Sequence, residues 1–164
     1  MAIAPTTGTA PATAAFFWGF RLHAIFAPDG TPRALCLTNP KRDERHVGLE
    51  LLARLERREG QILIGDKGYA GREFAEGVHA LGATIVRPSR RDEPGRGPHL
   101  APIRQRIESI FWTCKDLLTL ERHGARTLAG LRERVAQRFL CLAACVWLNH
   151  QLGRPSRSLV AYTA

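Results

Sequence analysis

Apolar positions along the chain change period several times, and each change marks an element. Residues 16–26 (FFWGFRLHAIF) run from aromatic residues into an alternating tail. Pro28, Asp29 and Gly30 then supply a turn, and residues 33–38 (RALCLT) resume the alternation, which predicts a β-hairpin. Residues 43–58 place Val47, Leu51, Leu52 and Leu55 at helical spacing among charged positions, with Gly60 as the stop. The near-continuous apolar run 61–65 (QILIG) predicts a strand buried on both faces. A short helix over 71–81, ended by Gly82, and a second buried strand over 83–87 (ATIVR) follow. A strand, helix, strand unit of this kind requires parallel pairing. Residues 88–99 are a Pro-, Gly- and Arg-rich loop, after which 101–120 and 127–152 predict two long helices. The order describes a mixed α/β sheet with helices on its faces.

A chain of 164 residues, 45% hydrophobic, suffices for one domain with a real core. The boundaries read as a disordered leader over 1–15, broken by Pro5 and Pro11, a domain over 16–152 and a flexible tail over 153–164. Lys and Arg outnumber Asp and Glu by 24 to 15, a formal charge of +9 that favours a polyanionic partner such as nucleic acid. Four cysteines without a CxxC pair indicate neither a disulfide framework nor a zinc site, and fit a reducing cytoplasm. Cys141 and Cys145, four apart in an apolar helical run, read as small core side chains. The leader lacks the pattern of a secretory signal, and no run of eighteen apolar residues occurs, so the expectation is a soluble protein without membrane attachment.

Two carboxylates stand out. Asp66 follows an apolar strand directly, in GDKGYAGREF, where the flanking glycines permit close backbone approach and Lys67 and Tyr69 suit a phosphate-bearing ligand. The bland alternative is a turn aspartate. Glu108 lies in LAPIRQRIESIFWTCKDLL, where Ile103, Ile107, Ile110 and Phe111 form the apolar stripe. Arg104 is its i−4 neighbour, and Lys115 lies two turns further along the same side. A surface ion pair accounts for Arg104 and Glu108 taken alone. Arg87, Arg90, Arg91 and Arg96 could track a nucleic-acid backbone or simply solvate their loop. His123 reads as a helix C-terminal cap, and the last helix, with Val135, Phe139, Leu142, Ala143, Val146 and Trp147, as core or partner surface.

The run from Arg104 resembles a motif of insertion-sequence transposases of the DDE class, in which Tyr, two residues, Arg, three residues, Glu, six residues and Lys surround the last acid of the triad. Arg104, Glu108 and Lys115 match in type and spacing, while the Tyr position holds Ala101. FFWGFRLH, the hairpin, the stretch from Thr38 to Asp43, GDKGYAGREF, RPSRRDE, RQRIES and ERHGARTLAGLRERVAQR resemble the same family in the same order. The resemblance implies a ribonuclease-H-like core in which two Asp and one Glu hold two Mg²⁺ ions for DNA strand cleavage and strand transfer.

By that resemblance Asp66 is the second acid and Glu108 the third, both metal ligands, while Lys67, Tyr69, Arg87, Arg90, Arg91, Arg104 and Lys115 contact DNA. The family's first acid lies on a strand before the hairpin, and residues 1–15 hold no Asp or Glu. The resemblance therefore implies a sheet missing its first central strand and a truncated enzyme inactive alone, with DNA, intact transposase or a second copy as partners. The rival is a non-catalytic basic DNA-binding remnant that competes with intact transposase. A basic structural protein without a nucleic-acid role is a third reading, and would fail to bind DNA at any salt.

Overall fold

A computed structural model describes residues 2–5, 19–91, 93 and 98–162. The elements are β1 (Ala2–Pro5), β2 (Arg21–Phe26), β3 (Pro32–Thr38), α1 (Glu44–Ala53), β4 (Ile62–Ile64), α2 (Arg72–Ala80), β5 (Thr84–Val86), α3 (Ala101–Asp116) and α4 (Leu128–Gln151), with short 3₁₀ turns at Lys67–Tyr69 and Val160–Tyr162. The described residues form two compact units, those within 1–25 and 33–100, and those within 26–32 and 101–164.

The first unit holds a five-stranded sheet in the order β3-β2-β1-β4-β5. β4 pairs parallel with β5, Ile62 to Thr84, Leu63 to Ile85 and Ile64 to Val86, and β1 pairs parallel with β4 with Ala2 opposite Ile64. This mixed α/β arrangement is compatible with a ribonuclease-H-like domain. The sequence pattern offers no strand before the hairpin, yet Ala2–Pro5 occupies the centre of the sheet, so the expected gap there is filled. Four residues are too few to show a period of two, and the open edges of β2 and β4 template whatever short apolar segment reaches them. The remainder of the expected leader, 6–15, lies outside the described residues, as do 16–18 of the expected hairpin.

Asp43 starts α1 by accepting from the backbone N–H groups of Arg45 and His46, at 2.9 and 3.0 Å. Arg58 ends the segment, donating to the carbonyls of Ala53 and Leu55. The helix therefore stops at Ala53, short of the pattern-based end at 58. Its inner face, Val47, Leu51 and Leu52, packs with Ile25, Leu63, Phe74 and Val78 into the core of this unit. His23 on β2 is fully buried, with Nε2 3.1 Å from the Thr38 hydroxyl.

The second unit is built on α3 and α4. Phe26 stacks edge-on against Phe111 at 5.6 Å and tilts against Phe139 at 6.1 Å. The inward stripe of α4 is Val135, Phe139, Leu142, Val146 and Asn149. Cys141 falls off that stripe and is exposed, so it is not the small core side chain that its spacing suggests, while Trp147, 64% exposed, lies on the surface of α4 and not in the core. Asn149, buried near the end of α4, donates to the carbonyls of Ser156 and Ser158 at 3.2 and 3.1 Å and accepts from the Tyr162 hydroxyl at 2.8 Å. Ser156, Ser158 and Tyr162, in the segment that composition reads as a tail, are bonded back through that amide, and Leu159 is buried.

Candidate metal and nucleic-acid site

β4 delivers the chain to Gly65, whose N–H bonds the Val86 carbonyl at 3.0 Å, and the backbone then turns at Asp66. Asp66 caps the 3₁₀ turn Lys67–Tyr69, with Oδ1 accepting from the Gly68 N–H at 2.7 Å. A methyl group at Gly68 would stand 2.9 Å from that oxygen, so the turn has room for a carboxylate only because residue 68 lacks a side chain. The same point lies 3.8 Å from Oε2 of Glu44. Glu44 belongs to the first turn of α1 and is held through Oε1 by an ion pair with Arg21 of β2, each side chain 27% exposed.

Beside Glu44, Arg45 donates to the Ala70 carbonyl at 3.3 Å, tying the start of α1 to the turn after β4. The His46 N–H, together with Arg45, holds the Asp43 carboxyl below the usual range. Tyr69 is 1% exposed, its ring 5.3 Å from Phe74. Its hydroxyl has no hydrogen-bond partner among the described residues. Burial first, then the charges of Glu44 and Asp66, push its phenol above the ordinary range. Tyr69 thus presents no face to solvent, whereas Lys67 is exposed.

In the loop after β5, Arg87 forks onto Glu93 at 2.6 and 2.8 Å and also donates to the Pro88 carbonyl. This fork, with the Arg90 N–H at 2.9 Å, pulls the Glu93 carboxyl down to about 2. Arg87 therefore closes the loop, while the side chains of Arg90 and Arg91 are exposed. Arg96 lies outside the described residues.

The second unit carries the other group. Glu108 is 69% exposed on α3, 3.9 Å from Arg104 one turn before it, and Lys115 pairs with Glu121 at 2.7 Å. His123 does not cap α3: its Nδ1 accepts from the Ala125 N–H at 3.0 Å and holds the next turn. The structure thus gathers Asp66, Lys67 and Tyr69 on one turn of the first unit, and Arg104, Glu108 and Lys115 on one helix of the second. Sequence reasoning passed over Arg21 and Glu44, since charged residues opening a strand and a helix ordinarily serve solubility and the helix dipole.

Among the described residues, no group of three or more His, Cys, Asp or Glu side chains is arranged to hold a metal ion. No helix among them is long and apolar enough to cross a membrane. A family model described as transposase DDE domain matches residues 4–144. No curated protein matches the chain.

Proposed function

This chain belongs to the transposase DDE domain family, and from that premise we propose that it derives from the Mg²⁺-dependent cleavage and strand-transfer machinery of an insertion sequence. The observation that carries the reading is Asp66: a carboxylate at the end of a parallel strand, oriented by the Gly68 N–H, over a cradle that a Cβ would fill. Its hard oxygen, with the unpartnered Tyr69 hydroxyl on the same turn, fits a hard divalent cation that keeps several waters. Asp66 is the proposed ligand in the first unit and Glu108 the proposed ligand in the second. A cation so held supplies activation of an attacking water or 3′-hydroxyl and charge relief on the leaving oxygen.

The remaining work falls to side chains that position DNA. Exposed Lys67, Arg90 and Arg91 contact phosphates directly, and Arg104 on α3 does so beside Glu108. Arg87 and Lys115 reach a phosphate by exchanging Glu93 and Glu121 for it, which makes them weaker contributors. A +9 charge supports weak, salt-sensitive DNA binding carried by phosphate contacts. β1 carries no acid, so the family's first carboxylate is missing from its strand and the chain is inactive alone. Phosphoryl transfer depends on positioning, and without that acid the cation is loosely placed.

The test incubates the purified chain with Mg²⁺ and duplex DNA carrying the element's own ends. The unmodified chain leaves the duplex intact. Ala4→Asp, two residues along β1 from the Ala2–Ile64 pair as Asp66 is two along from Ile64, restores some nicking that Asp66→Asn removes. Cleavage by the unmodified chain, abolished by Asp66→Asn, would show that the third acid is already present. DNA binding indifferent to salt would remove the nucleic-acid reading.

A further inference from the structure

The Arg21–Glu44 pair stands apart from the proposed metal ligands and phosphate-binding side chains, and its place is unusual for a surface ion pair. Both side chains are mostly covered, and the two Glu44 oxygens are used differently. Oε1 takes the Arg21 guanidinium, and Oε2 is turned toward Gly68, within 4 Å of the point where a Cβ would also meet Asp66 Oδ1. Two carboxylate oxygens thus flank one small space that residue 68 leaves open. The Tyr69 hydroxyl is buried, has no partner among the described residues, and feels the Glu44 charge before that of Asp66.

Like charges brought together and partly covered repel, and are retained where a cation between them offsets the repulsion. A buried hydroxyl without a partner calls for a water or ion within reach. Arg21 neutralises half of the pair and fixes the Glu44 carboxylate, as an outer partner fixes a ligand.

From these contacts we infer that Glu44 is a second carboxylate of the divalent-cation site at Asp66, held in place by Arg21 and facing a bound water for which the Tyr69 hydroxyl is a partner. The inference rests on the reading of Asp66 as a metal ligand and adds a residue that the transposase motif does not mark. It also gives the first unit two acids of its own, independently of Glu108.

Mn²⁺ added to the whole 164-residue chain and followed by electron paramagnetic resonance of free and bound ion tests this without recourse to catalysis. The unmodified chain should bind one Mn²⁺ at a site that Asp66→Asn abolishes. Glu44→Gln, which keeps the bond from Arg21 and loses the charge, should weaken that site about tenfold or more. Glu44→Asp, charged but one methylene short, should weaken it too, so that a loss seen with both variants at unchanged circular dichroism is not a loss of fold. If Asp66→Asn abolishes binding while both Glu44 variants bind like the parent, the inference is overturned and the Asp66 reading survives. If the parent binds no Mn²⁺ that depends on Asp66, both fall together.

Discussion

His23 makes the first unit sensitive to mild acid. Its ring is fully buried, Nε2 meets the Thr38 hydroxyl, and Nδ1 has no partner among the described residues. Burial foremost, and then the nearby Arg21 and Arg42 charges, lower its pKa to about 4. In the unfolded chain a histidine titrates near 6.5. Below that value the unfolded state takes up a proton that the folded state refuses, so stability is fully present above about pH 6.5 and is lost as pH falls toward 4. The whole difference is on the order of 3 kcal/mol, of which about 2 kcal/mol is lost between pH 7 and pH 5. Asp43, Glu50 and Glu93, whose carboxyls are all lowered, remain ionised through that window and do not confuse it. Urea unfolding followed by far-ultraviolet circular dichroism at half-unit steps of pH measures the slope. His23→Gln, which can still reach Thr38 and does not titrate, should flatten it. Parallel curves for the parent and His23→Gln would show that the buried ring does not set the slope, and the reasoning would fail.

Three further outcomes follow from the packing and the charge. Leu51→Ala, at a position with no exposure in the core of the first unit, should cost about 2–5 kcal/mol in urea unfolding; a loss well under 1 kcal/mol would mean that the cluster is not a packed core. Asn149→Leu strands the Ser156 and Ser158 carbonyls and the Tyr162 hydroxyl, with an expected cost of about 1–3 kcal/mol and a new site of limited proteolysis after Gly153; unchanged proteolysis would show that the amide is not what holds the segment. Replacing Arg90 and Arg91 together by Ala should reduce the slope of log affinity for duplex DNA against log salt by about 0.9 for each phosphate no longer neutralised, read by fluorescence anisotropy; an unchanged slope would take both residues out of the DNA interface.

Much of this architecture is legible in the sequence because long elements with a clear period announce themselves. The expected helices over 101–120 and 127–152 are found at Ala101–Asp116 and Leu128–Gln151, and the strands around 61–65 and 83–87 at Ile62–Ile64 and Thr84–Val86. Asp66 stands at its strand end for a reason visible in sequence, a carboxylate among glycines after an apolar run. The residues that escaped are those whose surroundings are made by distant segments. β1 is a strand because β2 and β4 flank it. Glu44 reads as an ordinary first-turn acid until α1 is laid against the turn after β4. Asn149 reads as one more polar residue at a helix end, since the carbonyls it serves lie on a segment that folds back later in the chain.

The central position of β1 bears on how the first unit assembles. The β2–β3 hairpin and the β4-α2-β5 unit each close over short stretches, while Ala2 must find Ile64, about sixty residues away. Local closures come early and distant ones late, because loop entropy is lost before distant contacts return anything. The pairing of β1 with β4 is therefore the closure expected last, since β1 reaches its other neighbour β2 over a short connection, and until it forms each half of the sheet has an open edge. Such an intermediate is prone to join the edge of another chain, so the rate of refolding should fall, and aggregation rise, with protein concentration during the interval before the centre of the sheet is filled.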